Sequence, residues 1–177
     1  MAEEATAYAQ VLTMLARDII AQIEGLSDEE LNTPVPLPEA NTLAALATHT
    51  IGAGEYWTLN LVGGKEIPRD RPAEFRAVGH GPDLIARYES WISALQTMLA
   101  TLPPTALGPL PNPPAGRRIR AIGDAPISGR DCLLHAIEHT ALHLGHIQLT
   151  RQLVLALRAG DLTVAGGDNP AKGAPDA

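Results

Sequence analysis

The feature that most constrains the fold is a histidine-rich stretch near the end of the chain, residues 132–157. It holds four of the six histidines, namely His135, His139, His143 and His146. An α-helix turns by about 100° per residue, so these four side chains fall within roughly a quarter of the circumference of one helix. The same stripe carries Cys132, Leu142, Leu149, Thr150, Leu153 and Leu157. The pattern therefore predicts a long helix whose histidine face is turned toward a core.

Histidines on a buried face need partners. A buried polar group without one costs about 1–3 kcal/mol. Two neutral imidazoles four residues apart on a helix point the same way, and a divalent metal ion is a partner that suits them. His139 and His143 have this spacing. The stretch is therefore a candidate for part of a metal site.

Three further segments have apolar residues mostly at three- and four-residue intervals, which is typical of amphipathic helices. With the histidine-rich stretch, the predicted helices span residues of about 4–25, 41–62, 82–102 and 128–158. Four long amphipathic segments in 177 residues predict an all-α four-helix bundle. We expect one domain over residues 1–160 and a weakly ordered tail over residues 161–177.

The segments between these helices are rich in proline and glycine. A short capped turn is expected after the first helix, where Ser27 is followed by Glu30. Residues 65–81 and 103–127 are predicted to be long connections, which permit a crossover topology as readily as an up-and-down one. The second connection carries three arginines, Arg117, Arg118 and Arg120. They belong either to a solvated loop or to an anion site at the mouth of a pocket.

Composition and charge exclude several classes of function. The net charge of −7 argues against nucleic acid as a partner, since phosphate binding needs a basic face. No apolar run approaches the roughly 18 residues of a membrane span, and no secretory signal is visible at the start. We therefore expect a soluble cytoplasmic protein.

A fifth histidine, His49, lies near the middle of the second predicted helix. In a bundle it would lie at a depth similar to that of His139 and His143, so it could supply a third ligand from across the core. Three nitrogen ligands leave a position open, which is typical of a catalytic metal site. Three imidazoles and a water suit zinc, nickel, iron or copper.

Two other interpretations of the histidines remain open. His135, Glu138 and His139 match the H-x-x-E-H pattern of inverted zinc peptidases, in which Glu138 would be the general base. Alternatively, the histidines are hydrogen-bonded core residues that bind no metal.

The segments ALATHTIGAGEYW and HAIEHTALHLGHIQLTRQL together resemble the DinB/YfiT-like superfamily of metal-dependent enzymes. That family typically carries a histidine midway through its second helix and an H-x-x-x-H-R-G-Q pattern in its fourth. Here His139 and His143 match this pattern, whereas Leu144 replaces the arginine and His146 replaces the glutamine. The resemblance covers roughly residues 4–158.

The resemblance implies the family's variant of the up-and-down bundle, often as a homodimer. It also implies a divalent metal ion (zinc, nickel or iron) held by His49, His139 and His143. His135 and His146 then lie outside the ligand set. The changes at Leu144 and His146 alter the polarity of the pocket and leave the role of His146 open.

Relatives with known activity are similar to S-transferases and isomerases that use the metal to activate a low-molecular-weight thiol. We therefore expect a metal-dependent enzyme, with a thiol-dependent S-transferase as the first hypothesis and with His146 and Tyr56 as candidates for proton handling. Metal-assisted hydrolysis is the first alternative. A bundle that binds metal without catalysis is the second.

Overall fold

The computed structural model describes residues 2–111, 113, 119, 123 and 125–162. This part of the chain is all-α, as the sequence predicts, and its helices form a bundle. The four long helices are α1 (Ala2–Ile23), α3 (Leu43–Glu55), α5 (Gly81–Thr101) and α6 (Gly129–Ala159). Two short helices, α2 (Asp28–Asn32) and α4 (Arg71–Glu74), lie in the connections on either side of α3.

The order of the long helices around the bundle differs from their order along the chain. Helix α1 packs against α5 and α6, and α3 packs against the same two helices. Helices α1 and α3 therefore lie diagonally opposite each other, as do α5 and α6. This order brings the middle of α3 against α6, which is where the candidate metal ligands lie.

The helix ends follow local sequence signals. The predicted capping box at Ser27 is present, since its side chain accepts from the backbone of Glu30 while the Glu30 carboxylate accepts from the Ser27 N–H. Ser128 and Asp131 cap α6 in the same way. Helix α6 ends at Gly160, whose φ of 77° is a left-handed conformation that glycine adopts without a Cβ penalty.

Helix α3 is buried on nearly every side, because α2, α4, α5 and α6 all pack against it. It continues into a π-helical turn over Tyr56–Asn60. Inside the bundle, the Trp91 indole N–H donates to Thr58 Oγ1 at 3.0 Å, and Thr58 donates to the Gly54 carbonyl at 2.7 Å. These contacts fix the register of α3 against α5.

The stripe of α6 that carries the histidines is less buried than the sequence predicts. Leu142 and Leu149 are exposed, at 58% and 55% of their surface. The buried side of α6 instead carries Cys132, Leu133, Ala136, Thr140, Leu144, Ile147, Thr150 and Val154. By the helical period, the histidines lie on the flank of this buried arc and not at its centre. Side chains on the far edge of the stripe therefore reach solvent.

The segment between α3 and α5 also differs from the plain connection that the sequence suggests, because α4 forms within it. Asp70 caps this helix, since its side chain accepts from the Ala73 N–H at 3.0 Å, and Pro72 lies in the first turn. Residues 163–177 of the predicted 161–177 tail and the three arginines of the 103–127 connection lie outside the described residues. Among the helices described, none is long and apolar enough to span a membrane.

The close contact between α3 and α5 predicts a sharp difference between two helical glycines. A Cβ at Gly54 would lie 2.7 Å from Trp91 Cζ2, whereas a Cβ at Gly145 on α6 meets nothing within 4 Å. Gly54→Ala should lower the free energy of unfolding by about 1–3 kcal/mol, because the buried indole has little room to move. Gly145→Ala should leave it unchanged or raise it by up to about 1 kcal/mol. Urea denaturation of both variants measures this, and equal effects would contradict the packing described.

Candidate metal centre

Three histidines from two helices meet in the bundle. His49 on α3 and His139 and His143 on α6 each offer a ring nitrogen, and these three nitrogens lie within 4.8 Å of one another. The centroid of the His49 ring lies 5.0 Å from that of His139 and 4.9 Å from that of His143. The structure thus brings together the three residues that the sequence nominates as metal ligands.

His49 is the most enclosed member of the group, with 3% of its surface exposed. Its Nδ1 lies 2.8 Å from Oε2 of Glu74, the last residue of α4. The ring of Phe75 lies against the His49 ring, with centroids 4.3 Å apart. Burial lowers the pKa of His49, and Glu74 opposes that shift only in part. His49 is therefore a neutral imidazole with Nδ1 engaged and Nε2 left for another partner.

Glu74 is itself held in place by Arg69. The Arg69 guanidinium donates to both carboxylate oxygens, from Nε at 2.6 Å and from Nη2 at 2.9 Å. Burial raises the pKa of Glu74, but the hydrogen bonds from Arg69 and His49 outweigh burial and hold the pKa below its usual value. A paired, ionised carboxylate therefore lies directly behind His49.

His139 and His143 are half-buried on α6. Burial, reinforced by the neighbouring imidazoles, lowers the pKa of His139 to about 3. The same causes lower the pKa of His143 to about 4. Both rings are therefore neutral at physiological pH, which is the protonation state that a metal ion requires of an imidazole ligand.

One ring nitrogen of the group lacks a protein partner. His139 Nδ1 is buried, and it has no hydrogen-bond partner within the part of the chain that the structure describes. A buried polar nitrogen without a partner destabilises the fold unless another group binds the ring. Three neutral imidazoles with mutually close nitrogens fit a divalent metal ion of the zinc, nickel or iron type.

The other two histidines of α6 lie beside this group. His146 is exposed, and its Nδ1 lies 3.4 Å from Nδ1 of His143. His135 packs edge-on against Trp57, with ring centroids 4.6 Å apart, and its Nδ1 lies 3.4 Å from Glu138. The Glu138 side chain is 66% exposed and its pairing is with His135. The geometry therefore favours the three-histidine group over the inverted zinc-peptidase arrangement.

Tyr56, the other candidate for proton handling, begins the π-helical turn two helical turns beyond His49. The Arg69 guanidinium carbon lies 5.5 Å from the centre of its ring. Cys132, which shares the histidine stripe, is buried, and burial raises the pKa of its thiol to about 12. That thiol is therefore poorly suited to act as a nucleophile.

Sequence reasoning missed Arg69, Glu74 and Phe75, all of which lie in the segment taken as a plain connection. One signal was available: Asp70 followed by Pro72 is a typical helix start, and it predicts a short helix that ends near Glu74. Nothing in the periodicity of so short a helix indicates which of its side chains turns toward the bundle.

Comparison with known proteins identifies the family of the chain. The sequence profile of the mycothiol-S-transferase family matches residues 8–155, which run from the second turn of α1 to the last turns of α6. The chain belongs to the mycothiol-S-transferase family. This is a DinB/YfiT-like family, so the resemblance seen in the sequence is confirmed.

The solved structures add a fold neighbour. A conserved protein from Enterococcus faecalis superposes with a TM-score of 0.66 at 16% sequence identity, over 85% of this chain and 96% of that chain. At this identity the likeness shows the shared fold. No curated protein matches the chain.

The lowered histidine pKa values predict how the stability of the metal-free protein depends on pH. In the unfolded chain His139 regains an ordinary pKa near 6.5, whereas in the fold its pKa is about 3. The unfolded state therefore binds more protons below pH 6.5, and the free energy of unfolding should fall as the pH drops from 7.5 to 5.5. Denaturant titrations with chelator at several pH values measure this slope.

The matched variants are His139→Gln at the site and His80→Gln at an exposed position at the start of α5. His139→Gln should reduce the slope by up to about one bound proton, because it removes one titrating group. His80→Gln should leave the slope close to that of the wild type. Identical slopes for all three proteins would contradict the burial of His139.

Proposed function

We propose that the protein is a metal-dependent S-transferase that joins a low-molecular-weight thiol to an electrophilic small molecule. The observation that carries the proposal is the close group of three neutral imidazoles, His49, His139 and His143, in a chain of the mycothiol-S-transferase family. The family makes mycothiol the first thiol to test. A thiol cosubstrate is consistent with a cytoplasmic location, where thiols are kept reduced.

The three histidines would hold the metal ion, and zinc, nickel and iron all suit this donor set. A bound divalent metal ion lowers the pKa of a thiol and keeps it as the thiolate, the nucleophilic form, at neutral pH. Three ligands leave room for such a group beside the protein nitrogens. His135 and Trp57 form an aromatic wall next to His139, whose ring centroid lies 5.9 Å from that of His135.

The reaction itself is a nucleophilic substitution. The sulfur forms a bond to an electrophilic carbon, the leaving group departs with the bonding electron pair, and the thiol proton passes to a base. We assign His146 as this proton acceptor, because it is exposed and touches His143 at the rim of the group. Tyr56 is the second candidate for proton handling, and Arg69 over its ring keeps it near the His49 side of the site.

The central test of this function is metal-dependent and thiol-dependent turnover. Protein purified without a metal-chelating tag should carry about one divalent ion per chain and should alkylate mycothiol with a fluorogenic electrophile. His139→Ala should lose the metal and more than about 100-fold of the activity, because it removes a ligand and not merely a neighbour of one. His80→Ala, remote from the group, should retain both.

Three different results would each contradict a different part of this proposal. A wild-type protein that binds no divalent ion after reconstitution would overturn the metal site. Turnover that proceeds equally well without any thiol would replace the transferase with metal-assisted hydrolysis. A metal-loaded protein without turnover of either kind, in which His139→Ala lowers only the melting temperature, would indicate a non-enzymatic bundle.

The role of His146 gives a separate prediction. His146→Gln installs the residue that the related fourth-helix pattern carries, and it removes the base while it preserves a polar side chain. We expect kcat to fall at least about 10-fold, since general bases typically contribute 10²–10⁴-fold. Metal content should stay at the wild-type value. Steady-state kinetics measures kcat, and elemental analysis measures the metal content. An unchanged kcat would show that a group other than His146 accepts the proton.

A further inference from the structure

The segment between α3 and α5 delivers one buried carboxylate to the metal centre. We propose that Glu74, anchored by Arg69, is a positioning residue that fixes the tautomer and ring orientation of His49, so that Nε2 is the nitrogen presented to a metal ion. The metal-binding part of this inference rests on the proposed function. The tautomer part concerns the protein alone.

The hydrogen-bond pattern sets the direction of each bond. Both oxygens of Glu74 accept hydrogen bonds from Arg69, which is the geometry of a guanidinium paired with a carboxylate. A carboxylate in such a pair can only accept, so His49 Nδ1, 2.8 Å from Oε2, must donate its hydrogen. The neutral ring then carries its lone pair on Nε2. A metal ligand whose other nitrogen donates to a carboxylate is a common arrangement in metalloproteins.

The surroundings leave the carboxylate little freedom. The Arg69 and Glu74 side chains are each 8% exposed, and the His49 side chain is 4% exposed. Glu74 lies directly over Gly52, where a Cβ would overlap Oε1 and would lie 3.0 Å from Cδ. Glycine at position 52 is therefore what allows the carboxylate to approach α3 one turn after His49.

The neighbouring residues hold the same geometry from other sides. Phe75, next to Glu74 in the chain, packs on the His49 ring, and the Arg71 guanidinium lies 5.1 Å from the centre of the Phe75 ring. Arg69 also lies over Tyr56, which follows His49 by seven residues and begins the π-helical turn that continues α3. Helix α4 and the residue that follows it thus contact His49 through a carboxylate and a ring at once.

The three candidate ligands differ in this respect. Within the described part of the chain, the contacts place a carboxylate against His49 alone, whereas His143 meets the exposed His146 and His139 Nδ1 has no partner. His49 is therefore the ligand whose orientation is set before metal arrives. We expect loss of the Glu74 carboxylate to weaken metal affinity about 10–100-fold, as is typical of such supporting groups.

Glu74→Gln gives a sharp prediction because a glutamine cannot satisfy both neighbours as a carboxylate does. Arg69 donates and so claims the amide oxygen, which turns the amide N–H group toward His49 Nδ1. That nitrogen must then accept, and the ring proton moves to Nε2. The matched control is Glu55→Gln, which removes a carboxylate on α3 that pairs with Arg87 at 2.6 Å. Gly52→Ala is the second variant, since it keeps Glu74 but displaces its carboxylate.

The experiment has two readouts. The first is ¹⁵N NMR of the metal-free proteins, which reports the His49 tautomer. The second is the Kd for Zn²⁺ from competition with a chromophoric chelator. We expect the Nδ1–H tautomer in the wild type and in Glu55→Gln, and loss of that tautomer in Glu74→Gln and Gly52→Ala. The Kd should rise about 10–100-fold in the last two variants only.

The inference is overturned if Glu74→Gln and Gly52→Ala keep the Nδ1–H tautomer, or if Glu55→Gln weakens Zn²⁺ binding as much as they do. Should Glu74→Gln fail to fold because Arg69 loses its charged partner, Gly52→Ala carries the same two readouts. A wild-type protein with no measurable Zn²⁺ affinity overturns the proposed function instead. In that case the NMR readout still decides whether Glu74 sets the His49 tautomer.

Discussion

The contact between α3 and α6 depends on keeping three imidazoles neutral inside a bundle. His49, His139 and His143 are enclosed enough that burial lowers the pKa of each, so protonation would place like charges within a few ångströms of one another. A protein gains no stability from such a group by itself, and His139 Nδ1 still lacks a partner in the described structure. Unfavourable groups of this kind are more often retained for function than for stability.

The fold meets this demand by supporting one of the three histidines from outside the four long helices. Helix α3 is mostly buried, and its one carboxylate, Glu55, pairs with Arg87 and not with His49. The partner comes from α4, whose Glu74 reaches His49 across Gly52 and is neutralised by Arg69. The segment between α3 and α5 therefore belongs to the site as much as the histidines do. Its contacts explain why a glycine lies one turn after His49.

The sequence predicts the long-range features well and the local supports poorly. Helical periodicity and capping residues indicate the all-α bundle. The helical wheel leaves the histidines of α6 equal, and the resemblance to the DinB/YfiT-like superfamily is what selects His139 and His143 to join the mid-helix His49. The helical wheel fails at Leu142 and Leu149, because it shows which residues share a stripe but not where the buried arc is centred. Helix α4 is too short to show a hydrophobic period in the sequence. The roles of Glu74 and Arg69 therefore become visible only in the tertiary structure.

The chain belongs to the mycothiol-S-transferase family, and its structure brings three histidines together between α3 and α6. The most direct test is a crystal structure of untagged, metal-reconstituted protein with anomalous data collected at the absorption edge of the metal. The account predicts one anomalous peak per chain, about 2.0–2.1 Å from a ring nitrogen of each of His49, His139 and His143 if the metal is zinc. It also predicts that the nitrogen used by His49 is Nε2, with Glu74 on Nδ1. A peak at His135 and Glu138, or no peak between α3 and α6, would contradict it.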